Sequence, residues 1–209
     1  MDANQETVAN PFGMDEDCRQ CPALCETRTQ VVHGYGDVSA DFLVLGEAPG
    51  PGADATGIPF TGDEDGRTVL SVLADLGFVD AFDSDEPTVE NVFLTGLTRC
   101  HTPDRPPSDD EVRNCEGFLT AEVRMINPEV ILPVGQRPLE ALAYEYTTKR
   151  AEDFDVTTDH ATTIRGRGFE LVPMMAPEEQ TDDQRTALLE HLASLLDRDY
   201  RQTKGRRNR

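Results

Sequence analysis

Four short apolar runs, each followed by a segment of helical period, constrain this chain more than any other feature. They are Asp41-Phe42-Leu43-Val44-Leu45-Gly46, Asn91-Val92-Phe93-Leu94-Thr95, Glu129 to Val134 and Phe169 to Met174. Their length and apolar content predict buried strands. Between them lie helix patterns. Arg67 to Phe78 places Val69, Leu70, Val72, Leu73 and Leu76 on one face, with Gly77 as a stop. Ser108-Asp109-Asp110-Glu111 is a capping box that opens a helix through about Met125. Arg137 to Tyr146 carries Leu139, Leu142 and Ala143, and Gln180 to Asp197 carries Leu188, Leu189, Leu192, Leu195 and Leu196. Such alternation predicts an α/β fold with a mainly parallel sheet covered by helices. Functional loops then belong at the carboxyl ends of the strands, so the loops beginning at Gly46, Gly96, Gly135 and Met174 are expected to face one another. The acidic stretch 80–88 and the weakly periodic 147–163 fall outside the pattern and read as loops.

With 209 residues the chain is expected to form one domain over 18–199, preceded by a loose acidic arm over 1–17 and followed by a flexible basic tail over 200–209. Forty Asp and Glu against nineteen Lys and Arg give a formal charge of −21, which would strain a compact fold by self-repulsion. The composition, with lysine only at Lys149 and Lys204, resembles that of proteins from a salt-rich, haloarchaeal type of cytoplasm, where concentrated salt screens such charge. No apolar run approaches the about 18 residues of a membrane span, and 1–5 lack the pattern of a signal peptide. A cytoplasmic monomer is expected. In that reducing setting five cysteines are more naturally metal ligands than disulfides.

The cysteines come as Cys18-x2-Cys21, Cys25, Cys100 and Cys115. Two ligands arriving together and two from mid-chain loops suit either a [4Fe–4S] cluster or a tetrahedral zinc, since both take soft sulfur donors. Cys25 could replace one of the first pair as ligand, but its neighbours Ala23-Leu24 favour a packed free thiol, and it is left unassigned.

Cys18-x2-Cys21-Pro22-x-Leu24-x3-Arg28, Gly46-Glu47-Ala48-Pro49-Gly50, Gly57-x-Pro59-Phe60-x-Gly62 and the pair Cys100 and Cys115 together resemble the iron–sulfur (family 4) uracil-DNA glycosylases, from about Cys18 to Gln136 and more weakly beyond. The resemblance implies a three-layer α/β/α sandwich around a central four-stranded, mainly parallel sheet. It implies a structural [4Fe–4S] cluster on Cys18, Cys21, Cys100 and Cys115. It further implies a DNA-repair enzyme that hydrolyses the N-glycosidic bond of uracil, or another damaged base, after the nucleotide is flipped out of the DNA. Glu47 is then a catalytic residue, and Gly46, Ala48, Pro49, Gly50, Phe60, Gly96 and Ala176 line the substrate pocket, with Phe60 stacking on the base.

Three positions depart from the family pattern. An acidic residue falls on Ala53, with Asp54 next door as the substitute catalytic carboxylate; an Asn that would read the uracil edge becomes Gly96; and a His-Pro pair becomes Ala176-Pro177. None of His33, His101, His160 and His191 fills the last position. Weakened or altered base excision is therefore expected. The alternatives are a catalytically silent iron–sulfur protein that binds DNA, single-stranded DNA included, or another protein, and a glycosylase for a different lesion. Arg99, Arg105, Arg165, Arg167 and the basic tail are the candidate DNA contacts.

Overall fold

The computed structural model describes residues 7–198. The elements run α1 (Pro22–Thr27), β1 (Tyr35–Gly36), β2 (Phe42–Gly46), α2 (Pro51–Thr56), α3 (Glu64–Asp75), β3 (Val79–Asp80), β4 (Thr88–Val89), β5 (Val92–Gly96), α4 (Asp109–Ile126), β6 (Val130–Pro133), α5 (Gln136–Tyr146), α6 (Val156–Asp159), β7 (Ile164–Arg165), β8 (Glu170–Leu171) and α7 (Asp182–Asp197). The main sheet has the order β1-β5-β2-β6-β8-β7. Its four inner strands are parallel, with Phe42 beside Val92 and Val130, and Val130 beside Glu170. These are the four expected strands. The sheet is nevertheless six-stranded, because two-residue strands pair antiparallel at either margin, β1 on β5 and β7 on β8. Neither margin strand lies within one of the apolar runs, which is why those runs mark only four strands.

Alternation along the strands divides the core into two apolar layers. Leu43, Leu45, Phe93, Ile131 and Leu171 face α4 and α5, where Leu119, Val123, Leu139 and Leu142 meet them. Phe42, Val44, Leu94, Val130 and Leu132 face α3 and α7, where Leu70, Leu73, Leu188 and Leu192 meet them. Each such side chain, fully buried, contributes on the order of 1.5–3 kcal/mol relative to exposure. The result is the three-layer sandwich. Capping sets the helix starts. Ser108 and Glu111 form the expected box on α4, Thr181 and Gln184 form another on α7, and Asp63 accepts from Gly66 N to start α3.

In the segment expected as a loose arm, residues 8–14 pack instead. Ala9 bridges Tyr35 antiparallel, Gly36 N donates to Val8 O at 2.8 Å, and Phe12 and Met14 are buried in the core. The two large apolar side chains, Phe12 and Met14 around a glycine, are too few to show a period. Within 147–163, Phe154 and Val156 are likewise buried and α6 forms. The basic tail 200–209 lies outside the described residues.

One stability consequence arises at the start of α4. Both Arg105 nitrogens donate to the Glu111 carboxylate at 2.7 Å, and Ser108 N donates to it as well. The bonds from Arg105 come first among the causes that hold this carboxyl well below its ordinary value, at about 2. A group whose pKa is depressed by folding contributes stability above its unfolded pKa, and loses it as pH falls towards the folded one. Acidification from the ordinary carboxylate range towards pH 2 is therefore expected to destabilise the parent more than Arg105→Ala, as read by denaturant titrations at several pH values. Equal acid sensitivity would refute the assignment.

Candidate functional site

A cleft of about 980 Å³ opens at the carboxyl ends of the parallel strands. Four loops form it: the one after β2, the one after β5, the Gly135 turn after β6 and the Ala176 turn after β8. The expected convergence of loops is present. Gly46, Glu47, Ala48, Pro49, Gly50 and Phe60 all line the cleft, as do Gly96 and Ala176. Main-chain bonds from Leu97 N to Gly46 O and from Thr98 N to Glu47 O, at 2.9 and 3.1 Å, continue the β2–β5 pairing into the loops and fix the floor.

The loop after β2 is held by close backbone packing. Gly62, at φ +78°, lies so near Gly52 that a Cβ on it would be 2.6 Å from Gly52 Cα. No side chain fits there. Asp63 joins the two ends, accepting from Gly66 N at 2.8 Å and from Gly52 N at 3.3 Å. Phe60, between them, is itself left-handed at φ +64°, a conformation rare for an aromatic residue. Its ring lies on the bare Cα of Gly46, where a Cβ would be 2.9 Å from Cζ. This packing leaves the ring half-buried at the cleft wall.

Glu47 enters the cleft from the end of β2, about one-third exposed, and accepts from Arg137 Nη1 at 3.2 Å. Arg137 also donates to Pro107 O and, at 2.7 Å, to Asp109. It stands on the first turn of α5, a position that the strand-end rule for Gly135 pointed to and that sequence reading passed over. Seven carboxylate side chains line the cleft, and Arg137 is the one Arg or Lys among its described lining residues.

Asp54 does not join them. Both its oxygens accept from Thr29 N, at 3.1 and 2.9 Å, and it is buried beneath α2 outside the cleft lining. Helical geometry turns positions 53 and 54 inward together, so Ala53, 1% exposed, also faces protein rather than cleft. A glutamate at 53 would have to displace core atoms. Gly96 has little more room, since a Cβ there would lie 3.0 Å from Thr98 O. Ala176 is half-buried on a turn that His160 supports from behind. Met175 N donates to His160 Nδ1 at 3.1 Å, so the ring proton sits on Nε2 and is donated to Gln184 O at 2.9 Å.

Beneath the floor lies a buried ion pair. Arg99 Nη2 and Glu122 are 2.7 Å apart, both 1% exposed, and Thr95 Oγ1 donates to Glu122 at 2.6 Å while accepting from Arg99 Nη1. Arg99 is therefore no surface contact for DNA. Arg105 is exposed but paired with Glu111, whereas Arg165 and Arg167 are exposed.

The cysteines Cys18, Cys21, Cys100 and Cys115 are free thiols within electrostatic reach of one another. Burial pushes the Cys115 thiol up to about 11 against the main-chain N–H of Arg99, and pushes Cys100 up against a bond from Arg28. Arg28 Nη1 donates to Cys100 Sγ at 3.0 Å, its Nη2 bonds Cys18 O, and Asn114 Nδ2 lies 3.4 Å from Cys21 Sγ. Among the described residues no three Cys, His, Asp or Glu side chains are grouped so as to hold a metal ion. The donor chemistry nonetheless suits a thiolate-bound centre, because a guanidinium and an amide already point at the sulfurs where negative charge would develop. Cys25 lies beside them, its thiol 3.7 Å from Cys18 O and within electrostatic reach of Arg28. The cysteine-bearing loop adjoins the cleft: His101, next to Cys100, donates Nδ1–H to Pro49 O at 2.8 Å.

No helix among the described residues is long and apolar enough to cross a membrane. Sequence comparison adds three relatives. The chain is 33% identical to the Type-4 uracil-DNA glycosylase of Archaeoglobus fulgidus over 120 residues, 57% of this chain and 55% of that protein. It is 31% identical to the Type-5 uracil-DNA glycosylase of Thermus thermophilus over 156 residues, 64% of this chain and 71% of that protein. A Type-5 uracil-DNA glycosylase of Pyrobaculum aerophilum is 25% identical over 201 residues, 87% of each chain. For the Type-4 relative the chain thus spans little more than half the length. The profile of the Uracil DNA glycosylase superfamily matches residues 33–197, the whole sheet and its covering helices, and the chain belongs to that superfamily.

Proposed function

We propose that this protein is a DNA-repair glycosylase that hydrolyses the N-glycosidic bond of uracil, or of a related damaged base, in DNA. One observation carries the reading: Glu47 and the Phe60 ring enter one cleft at the carboxyl ends of the parallel strands. A flipped nucleotide placed there stacks its base on Phe60, an interaction worth about 1–3 kcal/mol per base. Its sugar faces Glu47, whose carboxylate takes the proton of the attacking water and meets the positive charge growing on the deoxyribose ring. The main-chain groups of the loop after β2 orient the base edge. Seating the nucleotide displaces water, which strengthens each of these contacts.

Cys18, Cys21, Cys100 and Cys115 would hold the [4Fe–4S] cluster, with zinc as the alternative occupant. Such a centre would supply cross-linking rather than a chemical step, tying the segment that leads into α1 to the loop before α4, to α4 itself through Cys115 and, through His101, to the cleft. The short side chains at Gly96 and Ala176 favour a broadened or slowed activity, because each removes a polar group that would read or stabilise uracil. Similarity to both Type-4 and Type-5 relatives is in keeping with such a mixed site. The acidic composition supports a salt-rich cytoplasm as the working medium, and exposed Arg165 and Arg167 are the remaining candidates for phosphate contact.

The test uses protein purified without air in concentrated KCl and a single-stranded oligonucleotide with one uracil. Release of uracil leaving an abasic site, from a brown protein containing iron and sulfide, is expected. A colourless zinc protein would overturn the cluster. Absence of abasic product across a panel of damaged bases would overturn the enzyme and leave the silent DNA-binding reading.

A further inference from the structure

We propose that Arg137 is a catalytic residue of this reaction, stabilising the base as it departs with negative charge. The inference rests on the glycosylase reading given above. When the bond between C1′ and the base nitrogen breaks, its electron pair stays on the base, which leaves as an anion while C1′ becomes an oxocarbenium ion. Water adds at C1′ and its proton passes to Glu47, which returns it to solvent, while the base anion takes a proton from solvent. The products are an abasic site and a neutral base. The transition state is thus itself a separated ion pair, and a preorganised pair of opposite sense is what stabilises it.

The cleft contains one such pair. Glu47 Oε1 and Arg137 Nη1 are 3.2 Å apart, the carboxylate coming from the end of β2 and the guanidinium from the first turn of α5. Among the described lining residues, seven carboxylates would repel a departing anion, and Arg137 alone among the side chains carries the charge to hold it. The turn that delivers Arg137 lies against the loop after β8, since a Cβ on Gly135 would be 3.9 Å from the Ala176 Cβ. The guanidinium itself reaches from the start of α5 to Pro107 O in the loop before α4 and to Asp109 at the start of α4, and lies beside the sugar-facing carboxylate, so both charges of the pair meet at the scissile bond. A guanidinium has five N–H groups. Nη1 is directed at Glu47 and Pro107 O and Nη2 at Asp109, which leaves Nε–H and one Nη2–H for the base. The side chain is 26% exposed, so a ligand in the cleft can reach it.

The experiment compares Arg137→Met and Arg137→Lys with the parent on oligonucleotides containing uracil or 5-fluorouracil, whose anion is the better leaving group. Single-turnover rates are read at saturating enzyme. If Arg137 stabilises the anion, Arg137→Met loses about 100-fold on uracil and markedly less on 5-fluorouracil, while Arg137→Lys, which keeps the charge, retains most of the rate. An equal or larger loss on 5-fluorouracil would assign Arg137 to holding Glu47 in place and overturn the proposal. So would a lysine variant, folded by circular dichroism, that is as slow as the methionine one. A parent inactive on both bases is a different result, because it sinks the glycosylase reading itself.

Discussion

Glu122→Ala is expected to cost 3–5 kcal/mol, about what removing one partner of a buried ion pair costs, because it strands the Arg99 charge in the interior. Both side chains are 1% exposed, and Arg99 Nε has no hydrogen-bond partner even in the intact structure. For a domain of this size each kcal/mol shifts the melting temperature by about 2–4 °C, so a fall on the order of 10 °C or more should be seen by calorimetry. The double variant Arg99→Met, Glu122→Leu removes both charges and keeps the volume, and it should recover most of the loss. Were the single variant to melt within 2–3 °C of the parent, a range worth about 1 kcal/mol, the pair would be solvated in solution and its role as a rigid floor would be lost. The expected damage is not confined to stability. Thr95, which accepts from Arg99 and donates to Glu122, lies on the cleft floor one residue before Gly96.

Glu47→Gln is expected to lower the single-turnover rate on uracil DNA by about 100- to 10,000-fold, the usual contribution of a positioned general base. The amide keeps the size of the carboxylate and can still accept from Arg137, so the cleft and the affinity for uracil-containing DNA should change little. Loss of rate with binding retained is the signature sought, measured by rapid quench and by fluorescence anisotropy. A rate within a few-fold of the parent would remove Glu47 from the reaction.

What the sequence made legible follows from how far each signal reaches. Buried parallel strands are apolar on both faces, so β2, β5 and β6 stand out as runs, and the capping box of Ser108 and Glu111 is local enough to be read directly. The start of α3 was displaced because Asp63, Glu64 and Asp65 look like an exposed acidic turn, yet Asp63 is the cap and the other two form the first helical turn. Asp54 shows the limit more sharply. Its neighbours suggested a carboxylate near the site, but which way a side chain points on a six-residue helix depends on Thr29, 25 residues away. Arg99 misled for the same reason: beside Cys100 it looked like a surface cation, and only the fold supplies Glu122 to bury it. The importance of Arg137 is non-local too, since Glu47 and Asp109 come from different loops.

The sheet's two margins set how the protein behaves in a crowded solution. A long unpaired strand offers a row of free N–H and C=O groups on which other chains can build. Here β7 is two residues long, and β1 is equally short and flanked by the segment around Ala9, bonded to it through Tyr35 and Gly36. The segment before the first cysteine thus acts as a selvage, sealing the fabric of strands against unravelling into its neighbours.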